Sequence, residues 1–231
     1  MMRLNEFKNT ESCNAQLSHV LAEDIDQVLS KKAVCNIAVA GGNTPKALYE
    51  LLSKLPIPWE KVQVTLSDER WVDVKHNDSN EKMVRTELLI NHAKKSRFIP
   101  LKNAKHSPSD AIALCDTNLK HNMPTLDVVV LGMGDDGHFA SVFPNIENLQ
   151  VLLDLQQIRA CQAVCPPGKD PRMSLTLAYL LTARKIYLLI FGQRKKNIIS
   201  SVSLGNSLSA SYPVAALINQ QVCPVEVYWS P

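Results

Sequence analysis

The sequence predicts an α/β fold, a single-domain Rossmann-like three-layer sandwich in which helices flank a mostly parallel central sheet. Two observations support this prediction. Short, mostly apolar runs are typical of strands buried on both faces, and they alternate with segments whose apolar residues recur every three or four positions, as in amphipathic helices. Polar or glycine-rich turns follow several of these runs. Sheets of this kind bind ligands beyond the carboxyl ends of their strands.

The elements alternate in order along the chain. The first helix is predicted over 14–31, because Leu17, Leu21, Ile25 and Val28 fall on one helical stripe. Further helices are predicted over 45–54, 78–90, 108–120, 173–183, 194–203 and a short segment after Pro213. Strands are predicted over 34–40, 62–66, 126–131, 158–164, 186–191 and 225–229. No Gly/Ser/Pro-rich linker divides residues 1–231, so we expect one domain, with 145–157 as an irregular surface excursion.

Composition excludes several classes of protein. With 231 residues and 45% hydrophobic content, the chain can bury a sizeable core. The 25 basic and 22 acidic residues are mixed, and the basic cluster Arg194–Lys196 is too short for a nucleic-acid-binding face. Six cysteines without paired CxxC spacing indicate reduced thiols in a cytoplasmic protein. Cys161 and Cys165, four apart in a predicted strand, are expected to point to the same side.

Two segments bear on membrane contact. The first 14 residues, MMRLNEFKNTESCN, lack the apolar core of a secretory signal. The stretch from Asn197 to Val225 has no charged residue, but Ser, Asn, Gln, Gly and Pro interrupt it well before the roughly 20 apolar residues of a membrane span. We therefore expect no membrane partner and a cytoplasmic location.

The turn AGGNTPKAL at 40–48 follows the first predicted strand. Gly41 and Gly42 permit a tight turn, Asn43 or Thr44 can cap a helix, and Pro45 suits its first position. The free N–H groups of such a helix attract anions, phosphate above all. A plain strand-to-helix turn explains the segment equally well.

Two further loops carry arginines. In LSDERWV at 66–72, Asp68 and Arg70 directly follow a strand, where Arg70 could offer a planar fork to a phosphate or carboxylate. An internal ion pair of Asp68 or Glu69 with Arg70 is the alternative. In PPGKDPRMSLT at 166–176, Arg172 could clamp an anion at the start of the predicted helix or extend into solvent.

The turn LGMGDDGHFASVFP at 131–144 holds the strongest catalytic candidate. Gly132, Gly134 and Gly137 permit close backbone approach and could expose a nest of amide donors for an oxyanion. His138 follows them, and Asp135 or Asp136 could orient its imidazole. Histidine is the usual general base near neutral pH, although a purely structural histidine is also compatible with the sequence.

Other hydrolytic motifs are missing from the chain. It has no GxSxG nucleophile turn, no HExxH and no other metal-ligand spacing. Hydrolysis would then use an activated water, with no metal and no cofactor.

The chain resembles the 6-phosphogluconolactonase family, within the wider group that includes glucosamine-6-phosphate isomerases. The match consists of GGNTP at 41–45, SDERWV at 67–72 with HNDSN at 76–80, GMGDDGHFASVFP at 132–144 and PRMSLT at 171–176. The deaminase relatives share the Asp-Gly-His turn but typically continue with Asn-Glu-Pro and have Asp-Glu-Tyr in place of Asp-Glu-Arg-Trp. The sequence therefore resembles the lactonases more.

The resemblance implies metal-independent hydrolysis of 6-phospho-D-glucono-1,5-lactone to 6-phospho-D-gluconate in the oxidative pentose phosphate pathway. It implies His138 as the base and Asp136 as its support. Substrate would be held by residues of four loops, namely Gly41, Gly42, Asn43, Thr44, Asp68, Arg70, Gly134 and Arg172. The only partner implied is the small phosphosugar lactone, with the protein a monomer or weak homo-oligomer.

Two departures from the family pattern leave alternatives open. Phe139 replaces the family's usual Thr, and its ring could alter how the pocket closes over the ligand. Pro213-Val214-Ala215-Ala216 replaces a Pro-Ala-Ser-like turn, which removes a hydroxyl. The alternatives are a glucosamine-6-phosphate deaminase or isomerase, and a non-catalytic sugar-phosphate-binding protein, which Phe139 would favour.

Overall fold

The computed structural model describes residues 2–205 and 211–231. Within them the chain forms ten strands: β1 (Met2–Glu6), β2 (Cys35–Val39), β3 (Val62–Leu66), β4 (Asp68–Arg70), β5 (Arg97–Phe98), β6 (Val128–Gly132), β7 (Cys161–Val164), β8 (Arg172–Leu175), β9 (Lys185–Phe191) and β10 (Val225–Ser230). The helices are α1 (Thr10–Leu29), α2 (Lys46–Ser53), α3 (Asn80–Glu87), α4 (Pro108–Asn122), α5 (Leu149–Leu153), α6 (Leu177–Leu180), α7 (Gln193–Ser203) and α8 (Val214–Asn219).

Seven strands form one parallel sheet in the order β1-β10-β9-β6-β2-β3-β5. Every pairing in it is parallel, and the side chains of β2 are all buried, as expected when helices cover both faces. This confirms the predicted α/β class with a mostly parallel central sheet. The carboxyl ends of β2, β3 and β6 lie side by side at one edge, which brings the three predicted loops together.

A second, antiparallel sheet in the order β4-β8-β7 was not predicted. The segment 66–72, expected to be a loop, contains β4. The helix predicted over 173–183 is also wrong at its start, since residues 172–175 form β8 and the helix α6 begins at Leu177. Thr176 caps α6 by accepting from Tyr179 N–H. The reason is non-local, because β8 pairs with β4 on one side and with β7 on the other. This pairing outweighs the local tendency of residues 172–175 to continue the helical pattern.

Smaller differences concern element ends. Strands β1 and β5 were not predicted, the stretch 145–157 contains α5, and α2 begins at Lys46 with Pro45 as a cap that lacks a side-chain bond. Asn43 and Thr44 therefore do not cap α2. Cys161 is buried in β7, whereas Cys165 lies beyond its end and is exposed, so the two do not share a strand face. All six cysteines are unpaired.

No helix in the described ranges is both long enough and apolar enough to cross a membrane.

Candidate active site

A cavity of about 160 Å³ opens at the carboxyl edge of the parallel sheet. Its wall combines the glycine-rich backbone that follows β2 and ends β6 with residues of β4 and β8. Of the residues singled out from sequence, those in its wall are Gly41, Gly42, Thr44, Asp68, Arg70, Gly132, Gly134, His138 and Arg172. Asn43 is not part of this wall, and Asp136 lines an adjoining cleft instead.

His138 is held by Asp136. Asp136 Oδ1 lies 2.5 Å from His138 Nδ1 and also accepts from the His138 backbone N–H at 3.2 Å. A carboxylate that accepts from Nδ1–H leaves Nε2 with a lone pair able to accept a proton. Partial burial acts to raise the pKa of Asp136, but the hydrogen bonds and charge of His138 outweigh it, so this pKa lies below its ordinary value. Asp136 is thus an ionised orienting group.

The glycines of the turn serve to place His138. A Cβ atom on Gly134 would lie 2.1 Å from His138 Nδ1, so only glycine leaves room for the imidazole. Gly137 has φ of 74°, a left-handed conformation that glycine adopts without strain. Gly134 N–H donates to His138 O and Gly137 N–H to Gly134 O. These amides are therefore engaged within the turn, and the expected nest of free donors is wrong for Gly134 and Gly137.

The two arginines meet across the small sheet. Arg70 on β4 pairs in register with Arg172 on β8, and Asp68 pairs with Ser174. Arg70 Nη1 donates to Asp78 O at 2.5 Å, and Arg70 Nε is buried with no partner among the described residues. Burial lowers the pKa of Arg172, an effect that the Asp68 charge opposes. Two guanidinium groups that line one cavity have the charge and geometry suited to an anion.

Asp68 carries the only carboxylate in the described wall of the cavity. Ser141 Oγ donates to its Oδ2 at 2.6 Å, and Ser67 Oγ donates to Oδ1 at 3.1 Å. Asn80 Nδ2 donates to the Asp68 backbone O at 2.8 Å. Both carboxylate oxygens are thus occupied by neutral donors.

Sequence reasoning gave no role to several residues that shape the site. Asn80 lines the cavity and packs against Gly41, where a Cβ would lie 2.0 Å from its side chain. Glu69 accepts from the N–H groups of Asn80 and Glu81, which begin α3. Asn80 ends the HNDSN motif and Glu69 lies within SDERW, and these motif positions were the signal that the sequence offered for a role. The other contacts need the folded register to be seen.

Two aromatic residues have different roles. The ring centroids of Phe143 and His138 are 4.3 Å apart, and the Arg172 guanidinium carbon lies 5.1 Å from the Phe143 centroid. Phe139 is fully buried in the core and is not part of the cavity wall. The Phe139 ring therefore does not line the cavity, and an effect of this ring on closure of the pocket stays a prediction.

The segment around Pro213 contacts the turn that carries His138. Val214 N–H donates to Gly137 O at 2.9 Å, and a Cβ on Gly137 would lie 2.7 Å from Tyr212. Pro213, Val214, Ala215 and Ala216 do not line the cavity. The segment therefore supports the His138 turn from behind.

Comparison with known proteins identifies the family. A family model described as glucosamine-6-phosphate isomerases/6-phosphogluconolactonase matches residues 8–229. A 6-phosphogluconolactonase of Pseudomonas putida is 35% identical, with 100% of this chain and 93% of the relative covered. The chain belongs to the 6-phosphogluconolactonase family. A second 6-phosphogluconolactonase, from Pseudomonas aeruginosa, is 37% identical over 93% of this chain and 89% of its own.

The fold of this 6-phosphogluconolactonase family member has solved counterparts. The crystal structure of a 6-phosphogluconolactonase from Shewanella baltica superposes with a TM-score of 0.94 and 33% identity, covering 100% of this chain and 98% of the other. The similarity therefore extends through all the loops that meet at the cavity.

Proposed function

We propose that this protein hydrolyses 6-phospho-D-glucono-1,5-lactone to 6-phospho-D-gluconate in the oxidative pentose phosphate pathway. The observation that carries the proposal is that His138, oriented by Asp136, lines the same cavity as Arg70 and Arg172. A general base and two guanidinium groups at one cavity match a substrate with a reactive ester and a phosphate. The lactonase relatives at 35% and 37% identity support the same assignment.

In the proposed reaction His138 Nε2 takes a proton from water as the water oxygen bonds to the lactone carbonyl carbon. The carbonyl electron pair moves to its oxygen, giving a tetrahedral oxyanion. When the pair returns, the bond to the ring oxygen breaks, and the imidazolium delivers its proton to that oxygen. Asp136 stabilises the imidazolium through Nδ1–H throughout.

Arg70 and Arg172 are proposed to bind the phosphate and to stabilise developing negative charge. Arg forms paired, charge-assisted hydrogen bonds with phosphate oxygens. Gly41, Gly42 and Thr44, just before α2, and Gly134 offer backbone close to the ligand. Asp68 is proposed to accept from a substrate hydroxyl, and Asn43, outside the wall, is assigned only to the turn.

We further propose that catalysis needs neither metal nor cofactor, since a lactone carbonyl is electrophilic enough for a base and cationic donors. Activity should persist after exhaustive treatment with EDTA, and a loss restored by a divalent cation would contradict this. We also propose that the protein acts in the cytoplasm and that it is a monomer or weak homo-oligomer. Sedimentation analysis at several concentrations would test the oligomeric state.

The decisive experiment generates the lactone in place with glucose-6-phosphate dehydrogenase and follows its loss above the spontaneous rate. His138→Ala should lower kcat by about 10²–10⁴, the usual contribution of general-base catalysis. Binding of 6-phosphogluconate without acceleration of lactone loss by the wild type would instead indicate a non-catalytic binding protein.

The alternative of a glucosamine-6-phosphate deaminase or isomerase keeps some support because the matching family model covers both activities. Incubation with glucosamine 6-phosphate and assay of ammonia separates the two. Substantial release at enzymatic rates would displace the lactonase proposal.

A further inference from the structure

A fully buried hydroxyl, that of Ser141, lies behind the cavity and has no part in the proposed reaction. Its oxygen is 2.6 Å from Asp68 Oδ2. The Ser141 backbone N–H donates to Ser174 Oγ at 3.2 Å, which ties the residue to β8. Ser141 is therefore fixed both to the carboxylate of β4 and to the strand that carries Arg172.

Asp68 and Arg172 are neighbours that do not form a close ion pair. Asp68 Oδ2 lies 4.0 Å from Arg172 Nη1, although their side chains are only 8% and 12% exposed. The other titratable groups near Asp68 are His138 in the same cavity wall and Arg70 and Glu69 on β4 itself. A buried carboxylate beside a guanidinium ordinarily closes to a paired contact of about 2.7–2.9 Å.

Neutral hydrogen-bond donors to Asp68 explain why its carboxylate stays 4.0 Å from Arg172. Ser141 occupies the Asp68 oxygen that is nearest to Arg172, and Ser67 occupies the other at 3.1 Å. The terminal nitrogens of Arg172 have no hydrogen-bond partner among the described residues; its Nε donates to Asp170 O at 3.4 Å. Arg172 thus keeps unused donors at the cavity while its nearest carboxylate is held at a distance.

We propose that Ser141 is a positioning residue whose hydroxyl holds the Asp68 carboxylate back from Arg172, so that the Arg172 guanidinium stays free to bind the anionic group of the substrate. The identity of that group as a sugar phosphate rests on the proposed function. Without the hydroxyl, Asp68 would close on Arg172 and compete with the ligand for it.

The test measures ligand binding by calorimetry with 6-phosphogluconate and with inorganic phosphate, together with kcat and KM for the lactone. Ser141→Ala should weaken binding of both ligands about tenfold, the effect of roughly one net hydrogen bond. KM should rise in parallel while kcat changes less than twofold, because His138 is untouched. Ser141→Thr, which keeps the hydroxyl, should restore affinity.

A double-mutant cycle isolates the cause. In an Asp68→Asn background the carboxylate that competes is gone, so Ser141→Ala should no longer weaken phosphate binding. Ser53→Ala is the matched control, since Ser53 is also fully buried, and its hydroxyl bonds to Glu50 O in α2. It should leave affinity at the wild-type value. Thermal unfolding of each variant confirms that the folded protein is being compared, with Ser141→Cys replacing Ser141→Ala should the latter unfold.

Wild-type affinity in Ser141→Ala, or an equal loss in the Asp68→Asn background, would overturn the proposal. A wild type that binds phosphate as expected yet does not hydrolyse lactone would refute the proposed function and leave the role of Ser141 intact.

Discussion

Arg70 stands directly opposite Arg172 in the antiparallel pair formed by β4 and β8. Like charges at facing positions destabilise a sheet, and burial makes the charge on Arg172 costlier still, as the lowered pKa of this residue shows. Asp68 offsets part of this repulsion from 4.0 Å. Such an arrangement favours binding of an anion at the expense of stability.

Replacing one of these arginines should therefore separate stability from binding. Arg172→Met keeps the apolar stem and removes the charge, so we expect a free energy of unfolding equal to or above that of the wild type. KM for the lactone should rise at least about tenfold, since a charge-assisted contact contributes roughly 1.5–3 kcal/mol. Urea denaturation and steady-state kinetics check the two expectations. A marked loss of stability with unchanged KM would mean that the pair is structural.

Asp136→Asn should lower kcat by about 10²-fold, because the amide no longer fixes the Nδ1–H tautomer or stabilises the imidazolium. The same variant has a pH signature. The pKa of Asp136 is lower in the folded protein than its ordinary value of 3.8, so its ionised form stabilises the fold above that pH. This contribution disappears as pH falls through the lower, folded pKa.

The measurement is denaturant unfolding of wild type and Asp136→Asn between pH 7 and pH 3. The stability difference should be constant near neutrality and shrink at the acid end. A difference that stays unchanged down to pH 3 would show that the ionised carboxylate adds nothing to stability.

Gly134→Ala should displace the imidazole, because the new methyl carbon would lie 2.1 Å from His138 Nδ1. We expect kcat to fall about 10²-fold or more through loss of base alignment. Gly205→Ala is the control: Gly205 has φ of 68° and open space around it, so that variant should lose stability but not turnover. Lactone hydrolysis by both variants, normalised to folded protein, gives the comparison.

Phe139→Thr introduces the residue that the family usually has, at a position that is fully buried here. Removing the ring should destabilise the protein by about 3 kcal/mol, as large-to-small core substitutions do. KM should stay within about twofold of the wild type, because the ring is not in the cavity wall. A large change in KM measured on the folded variant would place Phe139 in control of the pocket after all.

Much of the fold could be read from local pattern. The alternation of apolar runs and amphipathic helices predicted the parallel sheet, because strands such as β2 and β6 are buried on both faces and so are mostly apolar. Because these strands were expected to run parallel, the loops that follow them were expected at one edge of the sheet. The short edge strands β1 and β5 lack that apolar signature and were not predicted; the residues of β1 are partly buried or exposed.

For the site, the sequence by itself determined which loops carry polar and glycine residues, since ligand chemistry and turn geometry both restrict residue type. Only the tertiary structure decided that Arg70 faces Arg172, that Ser141 bonds to Asp68, and that Phe139 points into the core. These relations join segments up to about a hundred residues apart through antiparallel pairing and side-chain packing. Their energy depends on register and burial, quantities that no local spacing of residues contains.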